Sequence, residues 1–406
     1  MIETPDNVTA VYEKKREQKR QRNLFFCVPS RIILNEKGTS FFIGHNKPLH
    51  CFETTDGARD FGFYFEKTGF SWLKKLLSNN YLKKMEIQVK DISACRTGLE
   101  DAVKLVFFSM FRRRVNLSIL EHIYNSSMVR TWNRANPKKS IGPGMKTTGG
   151  SFRELLNSRE PGVLEELKAG LFRKIVQSLP SSFIGQREDA RDIYSFVTEL
   201  VGGISPLVFF ILSGSGGEER FAMIQNISAG IIECIHRLDI VNLAALFTIE
   251  LAAAAERSAL VRMLENAGNV QGILENPEKR KSTMEEKRFR GSTVVMSVPG
   301  EIPPENRRIR FRISVYNDGA DAEAERKLME DFTERSFNFK DGRDLGEFFK
   351  TSLSRRDSDI YGDNGLYFYY LNALRNQCGK NKILLDTAIK NSHSGKSVVT
   401  TLWFGF

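Results

Sequence analysis

Three stretches of the chain carry residue types that could do phosphate or metal chemistry. The run SGSGGEER, Ser213 to Arg220, sets backbone amides of a glycine-rich turn ahead of a helix, and such amides bind anions. It lacks the Gly-Lys-Ser/Thr ending of a phosphate-binding loop and reads as a flexible turn. Gly395, Lys396 and Ser397 supply that ending, but the glycine required five residues before the Gly-Lys pair is replaced by Lys390. Asp357, Asp359 and Asp363 could hold a metal for strand cleavage, although the adjacent arginines and glycine favour a salt-bridged loop. His45, His50, His122, His236 and His393 have no metal-ligand pairing, and no serine sits in a Gly-x-Ser-x-Gly elbow. Cys27, Cys51, Cys95, Cys234 and Cys378 are scattered without a Cys-x-x-Cys pair, which fits a reducing compartment. No hydrolytic chemistry, metal or cofactor is therefore expected, and the chain is read as a non-enzyme.

Cations are the richer signal. Between Phe111 and Lys174 lie Arg112, Arg113, Arg114, Arg130, Arg134, Lys138, Lys139, Lys146, Arg153, Arg173 and Lys174, with few acids before Glu154. At the centre, NPKKSIGPGMKTTGG (Asn136 to Gly150) is too rich in Gly and Pro for a regular helix, whereas the FRELL that follows can form one. Lysines on such a loop can grip a nucleic-acid strand of any sequence, because phosphates are the same for every base. Trp132, Phe111 and Phe152 could add base stacking, although a core role is the first expectation for each. The whole chain agrees in sign: 60 Lys and Arg against 49 Asp and Glu give a formal net charge of +11, suited to a polyanion.

The elements that must position these residues follow from pattern. Residues 1–23 read as a basic flexible arm whose Lys14, Lys15, Arg16, Lys19, Arg20 and Arg22 could serve as a nuclear-import signal. No apolar stretch of signal-peptide type follows them, so secretion is not expected. Residues 24–67 hold short β-prone runs, RIIL, TSFFIG and FGFYF, and predict a small sheet or hairpin. From Ser71 to about Asn276 the spacing turns helical, as in Phe221, Ile224, Ile227, Ile231, Ile235 and Leu238. Residues 285–319 contain STVVMSV and RRIRFRISVY around a Pro/Gly turn. They predict either a hairpin-like interaction element or added strands in a core sheet. The part from 320 to 406 adds a helix over Ala322 to Arg335 and aromatic pieces, YFYYL and TTLWF, read as core. No run reaches eighteen uncharged apolar residues, so no membrane span is expected.

In this setting the basic loop, with Pro137, Lys138, Lys139, Ser140, Gly142, Gly144 and Lys146, resembles the arginine-rich loop of the orthomyxovirus (influenza-type) nucleoprotein family. LKAGLFRKIVQSL followed by DIYSFVTELVGGISPLVFFIL, then AAAAERSAL, AEAERKLMEDF and FNFKDGRDLGEFF, resemble further family stretches in the same order. The resemblance implies a mainly α, two-lobed nucleoprotein, head and body, with a β-hairpin-like tail loop. It implies that Arg307 or Arg308 on that loop pairs with Glu256 of a neighbouring subunit, giving a homo-oligomeric ring or filament. It further implies coating of single-stranded genomic RNA without sequence preference, contacts with the viral polymerase and host nuclear import factors, and a place in the virion and the host nucleus or cytoplasm. Two rival readings are a metal-dependent nucleic-acid enzyme or replication initiator, and a matrix or scaffold protein binding acidic membranes.

Overall fold

The computed structural model describes residues 30–65, 70–142, 149–159, 162–179, 187–264, 270–286, 291–298, 310–318, 323, 327, 366–392 and 397–406. The arm carrying Lys14, Lys15, Arg16, Lys19, Arg20 and Arg22 lies outside them, as do Lys146, Arg307, Arg308, the three aspartates near residue 360 and most of the helix expected over Ala322 to Arg335. The protein is mostly helical with one antiparallel sheet, and divides into two compact units: residues 1–107 with 239–406, and residues 108–238. The boundaries expected at 67/68 and 284/285 both fall inside the first unit.

Among the described residues the first unit is built on eight strands: β1 Ser30–Leu34, β2 His50–Glu53, β3 Arg59–Tyr64, β4 Leu82–Val89, β5 Ser292–Ser297, β6 Arg310–Asp318, β7 Leu384–Asn391 and β8 Ser397–Gly405. Their order across the sheet is β2-β3-β1-β4-β5-β6-β8-β7, every pair antiparallel. Register follows from the two-residue side-chain period, which assigns alternate residues to opposite faces. One row across the sheet reads Ile32, Met85, Met296, Ile313 and Leu402, all buried. The adjacent row reads Lys84, Ser297, Arg312, Trp403 and Asp386. Gly291, at φ +73°, precedes β5 where a Cβ would come within 1.9 Å of the Val89 carbonyl, so only glycine fits there.

Helices α1 Glu36–Gly44, α2 Phe70–Ser78, α3 Ile92–Tyr124, α10 Leu238–Met263, α11 Val270–Glu275, α12 Pro277–Glu286 and α13 Leu366–Lys380 belong wholly or in part to this unit, and α4 to α9 belong to the second. The β-prone TSFFIG lies in α1, because Asn35 caps it by accepting a hydrogen bond from the Gly38 amide at 2.9 Å. Phe42 of α1 then stacks on Phe63 at 4.9 Å. Conversely KKMEIQV, inside the stretch expected to be helical, is β4; its alternation of Lys84 and Glu86 with Met85 and Ile87 is a strand period. Of the expected tail-loop excursion, Ser292–Ser297 and Arg310–Asp318 are a pair of central strands, and residues 299–309 lie outside the described residues. β5 and β6 lie between β4 and β8 with Val294, Met296, Ile313 and Val315 buried, which is the core-sheet alternative. YFYYL and TTLWF are core, with Tyr367, Phe368 and Phe404 buried. Within α10, Phe247, Leu251, Val241, Ala245, Ile249 and Leu260 are buried, spanning more than half of its circumference. The run Gly217–Met263 has the length and apolarity of a membrane span, as core helices also can; more than half of its apolar window is buried.

The second unit holds residues 108–124 of α3, then α4 Ser127–Ala135, a 3₁₀ turn Pro137–Lys139, α5 Gly149–Arg159, α6 Val163–Gln177, α7 Arg187–Gly202, α8 Pro206–Gly214 and α9 Gly217–Ile235. DIYSFVTELVGGISPLVFFIL is thus two helices: Gly202 and Gly203 end α7, while Ser205 caps α8 and Pro206 sits in its first turn, where a missing amide costs nothing. The buried side chains of α8, Leu207, Val208, Phe209, Ile211 and Leu212, form the centre of this unit.

Candidate nucleic-acid interface

The cationic loop of the second unit stands against a pocket of about 1380 Å³. Helical spacing puts Met128, Thr131, Trp132 and Ala135 of α4 on one face, and they line its side. Phe152 and Leu155 of α5, and Phe210, Ile211 and Gly214 of α8, supply apolar walls, with Phe152 and Phe210 rings 5.5 Å apart. Lys138, Lys139 and Ser140 complete the rim together with Ser127, Ser215 and Glu219. Trp132 is 45% and Leu155 48% exposed, an aromatic and an aliphatic surface left facing water beside two lysines.

Local hydrogen bonds explain why the loop holds this shape without being a helix. The Trp132 indole N–H donates to the Lys139 carbonyl at 3.0 Å. Asn133 grips Ile141 twice: its amide N–H donates to the Ile141 carbonyl at 2.9 Å and its Oδ1 accepts from the Ile141 amide at 2.7 Å. Ser126 caps α4 by accepting from the Val129 amide. The Glu219 carboxylate accepts from the Ser127 amide and the Ser127 hydroxyl, both at 2.6 Å, so its charge sits at the amino-terminal end of α4 where the helix dipole favours it. Both lysine side chains are exposed.

The expected basic strip is only partly gathered. Arg130 and Arg134 are exposed on α4, but at 100° per residue they lie roughly 200–240° around the helix from Met128, away from the pocket face. Arg153 is exposed on α5, next to the pocket residue Phe152. Arg112, Arg113 and Arg114 point in successive directions around α3. Arg112 is partly buried, its guanidinium lying where a Cβ on Gly203 would be 2.3 Å from Nε; burial lowers its pKa while Glu199 opposes the shift. Arg114 lies 3.6 Å from Glu233. On α6, Arg173 is exposed, and the Lys174 ammonium sits 4.4 Å from the centre of the Phe221 ring, a cation–π contact on a 59% exposed aromatic. The pocket residues Met128, Phe210 and Glu219 were not visible as site residues in the sequence: each looks like an ordinary helix position until the fold sets α8 and α9 beside α4.

Glu256, implied by resemblance to face a neighbouring subunit, is 2% exposed within the first unit. Its carboxylate accepts a hydrogen bond from the Ile92 amide at the start of α3, at 2.6 Å. Burial pushes its pKa up to about 7; the Ile92 amide and Arg280 hold it down, and Asp91 adds to the rise. Arg280 itself reaches Asp91 at 3.3 Å and the Ser93 hydroxyl at 2.8 Å. Among the described residues no three His, Cys, Asp or Glu side chains come together as a metal site.

The fold and pocket together define a mixed α and β protein whose inserted helical unit carries an aromatic pocket with a cationic rim. Residues 21–406 match the family described as "Family of unknown function (DUF8084)", and the chain belongs to that family. It is 20% identical over 239 residues to an uncharacterized protein of Treponema pallidum (strain Nichols), covering 59% of this chain and 61% of the relative. The chain thus spans about three-fifths of the length of the relative it matches. No solved structure matches. Nothing in these matches points to an orthomyxovirus nucleoprotein.

Proposed function

We propose that residues 108–238 form a binding unit for single-stranded nucleic acid, RNA in the first instance, that contacts phosphate and stacks bases without reading sequence. One observation carries this: exposed Trp132 and the exposed pair Lys138 and Lys139 share the rim of one pocket, held together by the Trp132 to Lys139 and Asn133 to Ile141 hydrogen bonds. An unpaired base has two apolar faces that fit an aromatic wall, and its phosphate carries the charge that complements the two exposed lysines. A duplex hides those faces. The proposal keeps the RNA contact of the influenza-type resemblance. Coating of a viral genome and contact with a viral polymerase rest on that resemblance alone, and the basic run that suggests nuclear import lies outside the described residues.

Fluorescence anisotropy with labelled oligouridylate and oligoadenylate tests it. Both are expected to bind within a few fold of each other. Replacing Lys138 and Lys139 together by Ala weakens both alike, and flattens the slope of log affinity against log salt by about 1.4, at roughly 0.7 per single-strand phosphate contact. Trp132→Ala costs about 1–3 kcal/mol, or roughly 5- to 150-fold in affinity, with the salt slope unchanged. Native affinity in both variants sinks the proposal.

A further inference from the structure

Strand β7 ends the eight-stranded sheet: β8 pairs with one of its edges, and among the described residues no strand pairs with the other. The Ser392 amide donates to the Ser397 carbonyl across the β7–β8 hairpin at 2.7 Å. Backbone groups of an antiparallel strand alternate sides, so the even-numbered residues 384–390 face β8 while Leu385, Ile389 and Asn391 turn their amides and carbonyls outward. A row of outward backbone groups on an eight-residue strand is a template for another strand. Leu384 is 51% exposed and the side chains of Asp386 and Lys390 are exposed as well.

What decides the partner is the charge pattern of LLDTAIKN, which is complementary to itself. Asp386 lies two residues before Ala388 and Lys390 two residues after it. A second copy of β7 laid antiparallel, with the twofold axis at Ala388, sets Asp386 of each copy opposite Lys390 of the other. Ala388 then faces Ala388 in a close, non-hydrogen-bonded pair, where a small side chain is needed. Moving the axis to residue 387 sets Asp386 opposite Ala388, and moving it to 389 sets Asp386 opposite Ser392, so only one register pairs opposite charges. A lone edge lysine repels incoming strands, whereas one with an aspartate at the mirror position attracts its own kind. Pairing also asks for an exchange. The Thr387 amide now donates to the Asp386 carboxylate at 2.8 Å, and in the dimer it would bond across the strands while Asp386 turns to Lys390.

We propose that the chain forms a twofold dimer through β7, joining two eight-stranded sheets into one. The interface is isologous, so each substitution acts twice. The measurement is molar mass by light scattering during size exclusion, on nuclease-treated protein so that nucleic acid cannot bridge copies. Native chain is expected at twice its monomer mass. Asp386→Lys and Lys390→Asp each set like charges opposite one another and weaken dimerisation by about tenfold or more. The double variant carrying both changes restores the pattern with signs exchanged and recovers the dimer. Far-ultraviolet circular dichroism at 25 °C checks that each variant keeps the native secondary structure, since loss of the dimer itself lowers the melting temperature. A monomeric native chain, single variants that dimerise like the native chain, or a double variant that stays monomeric overturns the proposal.

Discussion

At pH 8 the Glu256→Gln protein is expected to melt at a higher temperature than the native chain, by roughly 3–5 °C, and the two are expected to converge toward pH 4.5. The reason is the raised pKa. Buried at the start of α3, Glu256 in the folded state holds its proton up to about pH 7, whereas an unfolded glutamate releases it near 4.5. Between those values the folded state binds more protons than the unfolded one. Stability present below pH 4.5 is therefore lost as pH rises through 7. At about 1.36 kcal/mol per pKa unit the loss is roughly 3 kcal/mol once both states are ionised. Glutamine has no proton to lose, and its amide oxygen can still accept from the Ile92 amide, so its stability stays flat through that window. The dipole of α3 and Arg280 favour the carboxylate, but burial is the larger influence. Thermal melts at several pH values decide the matter. A glutamine variant less stable at pH 8, with a pH profile parallel to the native one, would show that the carboxylate is satisfied in its ionised form.

Phe107→Ala is expected to lower unfolding stability by about 3–5 kcal/mol, the range for emptying a well-packed aromatic site. Phe107 is fully buried and meets Phe311 of β6 at 4.5 Å and Phe404 of β8 at 5.0 Å, both nearly edge-on, with Phe406 at 6.1 Å. Phe311 and Phe404 are themselves stacked at 4.9 Å. One ring therefore packs nearly perpendicular against a stacked pair, an edge-to-face arrangement worth more than the area it buries. Phe107→Leu keeps most of the volume and should cost less than half as much. Urea unfolding followed by far-ultraviolet circular dichroism measures both. A midpoint shift in Phe107→Ala equivalent to under 1 kcal/mol would mean that this cluster is not the keystone of the first unit.

Pattern revealed the helical character of the chain and the core role of the carboxy-terminal aromatics, because 3.6-residue spacing over long segments such as α9 and α10 has no competing explanation. It misplaced TSFFIG, whose β-propensity was overruled by the Asn35 cap, and LKKMEIQV, an eight-residue strand lying within a helical stretch. The role of STVVMSV and RRIRFRISVY could not be settled from residues alone. Two β-prone strips around a turn look the same whether they project or lie in a sheet, and their neighbours β4 and β8 are distant in sequence. At the pocket, Trp132, Phe152, Lys138 and Lys139 were legible as types that bind nucleic acid. Arg112 and Arg114 looked equivalent to them, but adjacent residues on a helix point about 100° apart, and these two turn to Gly203 and Glu233. The clamp of Asn133 on Ile141 had no signal in the sequence, since asparagine is common wherever chains turn.

Pairing of β4 with β5 joins segments separated by about 200 residues, nearly all of the intervening chain being the helical unit and α10. During synthesis, β1 to β4 leave the ribosome long before the strand that covers β4 exists, a delay of roughly 10–40 s at 5–20 residues per second. The inserted helical unit has its own internal contacts complete in that interval, while the nascent amino-terminal strands keep an open apolar border. Newly made chains are thus most vulnerable to chaperone capture or aggregation between the emergence of β4 and that of β5, a window set by the order of the polypeptide and not by the strength of the finished sheet.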